Sequence, residues 1–486
     1  MWSKLRKRYS ELSVPVRTSI IYVFCSVLQK GISFIAVPIY TRLVPSEEYG
    51  LYNLYNSWDA ILSIFATLNM WNYLYSNGML KYKDSKDRFT SSLIGLSSTL
   101  TLSLFLVYLI FRNQFEKISN IPFLAMVLMF GMFLLRPSYE YWCSRQRFEY
   151  NIKKYTISAI TISLVTPLLT VLLILTFQRQ NQNGGYALII GKVVSAAIIY
   201  FIVKISLLKK SFKLYDKEVW SYALKFSLPL IPHFLSGVVL AQSDRIMIGS
   251  MCGTSKTAIY SVAYSCAAVL ELFNAALMDS IIPWEYKKLE SKDYSKIPKI
   301  ATISLLFISG INLAVALCAP EVIAIMAPSE YQEAIYVIPP VAMSNVFMFM
   351  FNLYGNIEYY HEETKLVAGA SCIAAVSNII LNYIFIKKFG FIAAGYTTVA
   401  CYIIYSLSHY FFMNYTLKKH GVKQKVYNNQ ALWTISLISL CASIGFSFLY
   451  PHRVIRYSII VALIILVIAF RNRIRNLYKE IKNHND

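Results

Sequence analysis

The 486-residue chain carries 47 Lys and Arg against 25 Asp and Glu, a formal net charge of +22. Yet 56% of its residues are hydrophobic, only 15% are charged and its mean hydropathy is +0.48. A nucleic-acid-binding protein needs a solvated cationic face and is excluded, and no polar stretch exceeds roughly two dozen residues, too short for a soluble catalytic domain.

In chain order, the basic run Lys4-Leu5-Arg6-Lys7-Arg8 precedes an apolar run that is too long for a secretion signal and lacks a small-residue cleavage site. It reads as a retained first helix. A span needs about 20 mainly apolar residues, and runs of that length recur at 18–40, 49–73, 90–111, 121–142, 155–177, 185–208, 219–248, 257–283, 300–319, 334–357, 366–386, 390–416, 431–450 and 453–470. Barrel-type alternation is absent, so the expected class is an all-α polytopic membrane protein with about 14 transmembrane helices. Six of the eight cysteines fall inside these spans, with no CxxC pair and no metal-site spacing, and read as packing residues.

The N-terminal tail, the even-numbered loops and the C-terminal tail hold 33 cations against 9 in the odd-numbered loops. Cytoplasmic loops are enriched in Lys and Arg, so both termini are expected in the cytoplasm of a cell-membrane protein. The loop 358–365 dissents, with Glu358, Glu362 and Glu363 against Lys365.

The halves of the chain are self-similar. Pro38-Ile39-Tyr40-Thr41-Arg42 parallels Gln242-Ser243-Asp244-Arg245, Tyr49-Gly50-Leu51-Tyr52 parallels Thr257-Ala258-Ile259-Tyr260, Tyr139-Glu140-Tyr141-Trp142 parallels Asn356-Ile357-Glu358-Tyr359, and Gly185-Tyr186-Ala187 parallels Gly395-Tyr396-Thr397. Six spans, an even number, separate equivalent helices, so the repeats keep one orientation. Two pseudo-symmetric six-helix lobes around a central cavity are expected, at 1–210 and 211–420, with two more helices and a basic tail at 421–486.

Three stretches of spans 7 and 8, Leu228-Pro229-Leu230-Ile231-Pro232-His233-Phe234, Asp244-Arg245-Ile246-Met247-Ile248-Gly249 and Ile259-Tyr260-Ser261-Val262-Ala263-Tyr264, resemble the Wzx-type polysaccharide flippases. So does the span 1 to 2 junction, Pro38 to Val44 and Glu48 to Tyr52. The resemblance runs over essentially the whole chain. It implies the multidrug, oligosaccharidyl-lipid and polysaccharide exporter fold, and movement of undecaprenyl-pyrophosphate-linked oligosaccharides between leaflets.

Charges inside spans are expensive and mark pathways or partners. Lys30 lies 10 residues before Tyr40 and Asp59 lies 10 after Tyr49, which places both about 15 Å below the outer surface, where consecutive helices can bring them together. The repeat makes Lys30 and His233 quasi-equivalent, and Glu271 near the depth of His233 offers a second pair. One reading has Lys30 and His233, from opposite lobes, binding pyrophosphate or an acidic sugar, with Asp59 and Glu271 holding them and exchanging ions. The other has a structural ion pair in each lobe. Arg136 and Glu140 stand i, i+4 and are expected to pair structurally. Arg42 and Arg245 screen the outer mouth or snorkel to headgroups; Lys192 follows Gly191 in span 6, and Lys225, near the inner end of span 7, is placed to meet incoming phosphate or snorkels. Asp279 is an ion-coupling candidate or a solvated side chain. Pro229 and Pro232, and Pro339 and Pro340, are expected to bend spans 7 and 10.

An enzyme, a glycan polymerase or acyltransferase using His233 or His409, fits poorly because every outer loop is short. Gly185 to Gly191-Lys192 lacks Walker A spacing, so no ATP and no cofactor are expected. A drug or organic-cation antiporter of the same superfamily would want an acid-dominated cavity. The expected partners are the lipid-linked glycan, membrane lipids, and a polysaccharide polymerase with glycosyltransferases.

Overall fold

The computed structural model describes residues 14–180 and 183–469; the basic segment at 4–8 and most of the C-terminal tail lie outside the described residues. Within them the chain forms eighteen α-helices and two 3-10 turns, with no strand. Each of the fourteen expected spans coincides with a helix. Ten helical segments are long and apolar enough to cross a membrane, or eleven if the pair Ser329–Tyr336 and Ile338–Tyr360, bent by 44°, counts as one span. The other expected spans are Ser46–Thr67 and Ala393–Lys419, diluted by Asn, Ser, His and charged residues, and Arg453–Ala469, which is short.

By packing, the chain divides into two compact units, Met1–Ala258 and Ile259–Asp486. That boundary falls one span later than the one the repeat suggests at 210. The physical reason is that the seventh span packs on the second within the first unit.

The first unit contains α1 (Val14–Leu43), α2 (Ser46–Thr67), α3 (Tyr73–Lys81), α4 (Lys86–Ile110), α5 (Arg112–Ser119), α6 (Phe123–Phe148), α7 (Ile152–Arg179), α8 (Gly184–Lys210), α9 (Lys217–Ser227) and α10 (Ile231–Cys252). Its mid-depth core interleaves Tyr55, Leu62 and Ala66 of α2, Tyr108 of α4, Met129 and Phe133 of α6, and Ile189 and Val193 of α8. A second core joins Leu74 and Met79 of α3, Phe89 and Leu93 of α4, Tyr141 of α6, Leu207 of α8 and Val219 and Ala223 of α9. Between apolar lipid and apolar side chains there is little hydrophobic drive, so close approach of small residues and hydrogen bonds hold helices together. Gly191 illustrates this: a Cβ there would collide with Thr170 of α7, so glycine alone lets α8 close on its neighbour.

Span 7 is interrupted where Pro229 and Pro232 were expected to bend it. The 3-10 turn Leu228–Leu230 separates α9 from α10, because each proline lacks an N–H for the helical ladder. Helix α10 packs along α2, where Ser57 donates to Gln242 Oε1 over 3.1 Å.

The second unit contains α11 (Thr254–Glu290, which starts in the first unit), α12 (Ile297–Leu317), α13 (Ala319–Met326), α14 (Ile338–Tyr360), α15 (Thr364–Phe389), α16 (Ala393–Lys419), α17 (Asn429–Ser447) and α18 (Arg453–Ala469). Helix α14 is its axis, buried along most of its length and packed by α12, α16 and α17. Asn274 of α11 and Asn345 of α14 each donate to the other helix's backbone, at 2.8 Å to Asn345 O and 3.1 Å to Ala267 O. Arg456, near the start of α18, is buried and its guanidinium forks onto Glu321 of α13, with Nη2 2.6 Å from Oε1.

Candidate functional site

Three in-span charges of the first unit, Asp59, Arg136 and Lys192, converge on one place. Tyr55, Asn56 and Asp59 share a face of α2 through i+3 and i+4 spacing. Across from them stand Arg136 of α6 and Lys192 of α8. Arg136 Nη2 donates to Asp59 Oδ1 over 2.6 Å. Lys192 Nζ donates to Asn56 Oδ1 over 2.6 Å and lies 4.0 Å from Asp59 Oδ2. The ammonium also sits 5.4 Å from the Tyr55 ring centroid, and the Arg136 guanidinium 5.6 Å from that of Phe133.

The side chains of Asp59 and Arg136 are 10% and 18% exposed, whereas Lys192 is 32% exposed. A paired carboxylate and guanidinium thus form the closed side of the cluster, and Lys192 is its open side. Two cations face one fixed carboxylate, and both retain donors unused by these bonds. Such a surplus suits an anionic or hydroxyl-rich ligand and opposes a cation.

The expected pairs are rearranged. Arg136 bonds Asp59 rather than Glu140, and among the described residues Glu140 forms no hydrogen bond. Asp59 does not pair with Lys30, which is exposed and makes no hydrogen bond or ion pair with a described residue. The reason lies in packing: α1 leans on α7, through Cys25 with Thr156 and Tyr22 with Tyr155, rather than along α2. His233 is exposed, its ring tilted against Phe234 at 5.6 Å, and it belongs to the same compact unit as Lys30 instead of an opposite one.

Arg42 is exposed and donates to Pro38 O over 3.0 Å, on its own helix. Arg245 donates to Ala241 O and to Gln242 Oε1, at 2.8 and 3.0 Å, joining the Ser57 contact between α10 and α2. Lys225 lines an open cavity of about 800 Å³ with Lys81, Lys217, Glu218 and Tyr222. Glu271 is half-buried and Asp279 exposed on α11.

The second unit holds polar groups that the sequence reading passed over. Glu358, read above as a loop residue, is buried on α14 and its Oε1 lies 2.8 Å from His409 Nδ1 on α16. Phe351 and Tyr405 flank that imidazole, so His409 is fixed by a partner and two rings. Two residues earlier on α14, Asn356 donates to Glu285 Oε2 over 3.0 Å, and the Tyr427 hydroxyl reaches both Glu285 and Leu353 O.

With this geometry in place, comparison with known proteins adds four likenesses. The family model described as polysaccharide biosynthesis protein matches residues 16–289. A probable low-salt glycan biosynthesis flippase, Agl15, of Haloferax volcanii is 26% identical over 228 residues, 46% of this chain and 47% of that protein, so the chain spans about half the length of this relative. In fold, the chain resembles the lipid II flippase MurJ in an inward closed conformation, with a TM-score of 0.65 and 18% identity over 94% of this chain and 100% of that one. It also resembles an inward-facing multidrug resistance MATE transporter of the MOP superfamily, with a TM-score of 0.56 and 12% identity over 82% and 96%.

Proposed function

The chain belongs to the polysaccharide biosynthesis protein family, and on that premise we propose that it flips a lipid-linked oligosaccharide from the inner to the outer leaflet by alternating access. It is a multi-pass membrane transporter, not an enzyme. The carrier lipid is taken as undecaprenyl pyrophosphate, the membrane as the cell membrane and both termini as cytoplasmic, in keeping with the 33 to 9 division of cations.

The observation that carries the choice of substrate is the pair of cations, Arg136 and Lys192, around the one carboxylate of Asp59. Lysine holds a phosphate oxygen as a point charge, and arginine suits planar, two-point recognition. Within the cluster, Lys192 is the contact for the glycan or its pyrophosphate. Lys30, His233, Arg42, Arg245 and Lys225 are further substrate contacts, and Glu271 and Asp279 join Asp59 as sites for a coupling ion. A polysaccharide polymerase and glycosyltransferases would supply and consume the cargo. An inside-negative potential favours outward movement of an anionic headgroup by about 2.3 kcal/mol per charge per 100 mV.

The second reading is a drug or organic-cation antiporter, supported by the MATE-like fold and by the buried acids Glu285 and Glu358. Reconstitution separates the two. Protein in liposomes should move a lipid-pyrophosphate-linked oligosaccharide to the far leaflet, faster with an inside-negative potential, and should not expel ethidium. Ethidium efflux without glycan movement would overturn the proposal. Equal rates with the potential collapsed and no ion gradient would remove the driving force suggested.

A further inference from the structure

The cavity beside Lys225 lies away from the Asp59 cluster and is built from two short elements, the end of α3 and one face of α9. Helix α9 is amphipathic: Val219, Ala223 and Ser227 are buried, while Lys217, Ser221 and Lys225, spaced i, i+4 and i+8, line the opening. Lys81 closes the far wall, its Nζ 4.2 Å from the Tyr222 ring centroid and 5.4 Å from that of Tyr82. The one acid in the lining, Glu218, accepts from the Tyr82 hydroxyl over 3.1 Å. None of the three lysines forms an ion pair with a described residue, so three ammonium groups share a cavity of about 800 Å³ with the single carboxylate of Glu218.

The frame around them is held by hydrogen bonds. Asp216 caps α9 by accepting from the Glu218 N–H, and the Trp220 indole donates to Ser92 O over 3.0 Å. Leu80, Phe212, Tyr215 and Leu228 stand exposed nearby in the sequence, the pattern of side chains that sit between headgroups and acyl chains. Three lysines against one carboxylate leave the cavity with a net positive charge that a bound polyanion relieves, and lysine's compact charge suits phosphate oxygens.

We propose that Lys81, Lys217 and Lys225 form a cytoplasmic-side docking site for the pyrophosphate of the carrier lipid, loaded before the cargo moves inward to Arg136 and Lys192. This rests on the flippase reading and on the cytoplasmic placement of the loop between spans 2 and 3. Bulk anionic phospholipid offers similar chemistry, but a single phosphodiester engages fewer of the three ammonium groups than a pyrophosphate does.

The test uses the full chain in phosphatidylcholine nanodiscs titrated with undecaprenyl pyrophosphate, with phosphatidylglycerol and inorganic pyrophosphate as competing arms. The variant Lys81→Gln/Lys217→Gln/Lys225→Gln should bind the carrier at least tenfold more weakly, and wild-type binding should fall steeply with salt. On the wild type, carrier should protect these three lysines from acetylation while leaving Lys83 reactive, a readout independent of how the variant folds. Unchanged affinity in the triple variant or absent protection overturns the site, and displacement by equimolar phosphatidylglycerol reassigns it to bulk lipid and overturns carrier recognition. If the wild type flips the linked glycan but the lysines stay unprotected, the docking site alone falls; if it neither binds carrier nor flips glycan, the flippase reading falls with it.

Discussion

Arg136 of α6 donates to Asp59 of α2 across 2.6 Å, and this contact takes the carboxylate that depth alone would give to Lys30. Both side chains are less than a fifth exposed. Removing one partner of such a pair leaves the other charge buried and unpaired, which costs about 3–5 kcal/mol, whereas removing both costs less. Asp59→Asn and Arg136→Gln should therefore each lower the midpoint of thermal unfolding in detergent, and the double variant should be more stable than the sum of the two predicts. Strict additivity would show that the two charges do not act as a pair.

Lys192 and Lys30 should behave differently from that pair and from each other. Lys192 is fixed by Asn56 and partly open, so Lys192→Ala should cut flipping in proteoliposomes about tenfold, equivalent to roughly 1.4 kcal/mol of binding. Its thermal midpoint should shift little. Lys30 makes no bond to a described residue, so Lys30→Ala should leave stability unchanged; a loss of transport restored by Lys30→Arg would mark it as a ligand contact. Equal transport by wild type, Lys30→Ala and Lys30→Arg would remove Lys30 from the site.

The helices were legible in the sequence because a span must present about 20 apolar residues whatever it packs against. The charged members of the cluster were legible too, since Asp59, Arg136 and Lys192 each stood out as an ionisable group inside a span. What one dimension does not carry is which helix lies beside which. Depth arithmetic put Lys30 level with Asp59, but α1 packs on α7 and the level place beside α2 goes to α6 and α8. The i, i+4 rule likewise favoured Glu140 for Arg136, whereas the guanidinium reaches across to another helix. Glu358 was misplaced for a different reason. Its acidic neighbours Glu362 and Glu363 do follow the helix, but α14 runs on to Tyr360 and buries Glu358 against His409.

Two glycines provide a test of packing. A Cβ on Gly50 of α2 would overlap the backbone carbonyl of Thr254, which cannot rotate away, while one on Gly31 of α1 would meet no heavy atom within 4 Å. Gly50→Ala should therefore destabilise by about 1–3 kcal/mol, as overpacking does. Gly31→Ala should be neutral or stabilise by up to about 1 kcal/mol through the entropy that glycine otherwise loses in a helix. Fluorescence-detected size exclusion after heating measures both; a tolerant Gly50 site would mean that α2 does not approach the start of α11 this closely.

A pH dependence follows from Asp216, which lies outside the membrane spans at the start of α9. Burial pushes its carboxyl up, but hydrogen bonds from Arg88 and Lys213 and from the Val219 N–H outweigh burial and hold it below the usual carboxylate range. A carboxyl depressed in the folded state adds stability that is fully present above its ordinary range and is lost as pH falls through the folded-state value. Asp216→Asn keeps an N-cap oxygen for α9 but removes the charge that meets Arg88. The wild type should thus have the higher thermal midpoint at pH 7. Its advantage should shrink as the pH is lowered through the ordinary aspartate range, about 4, and below it, as Asp216 takes up its proton. Parallel curves for the two proteins over that interval would show that the Arg88 contact contributes nothing that depends on ionisation.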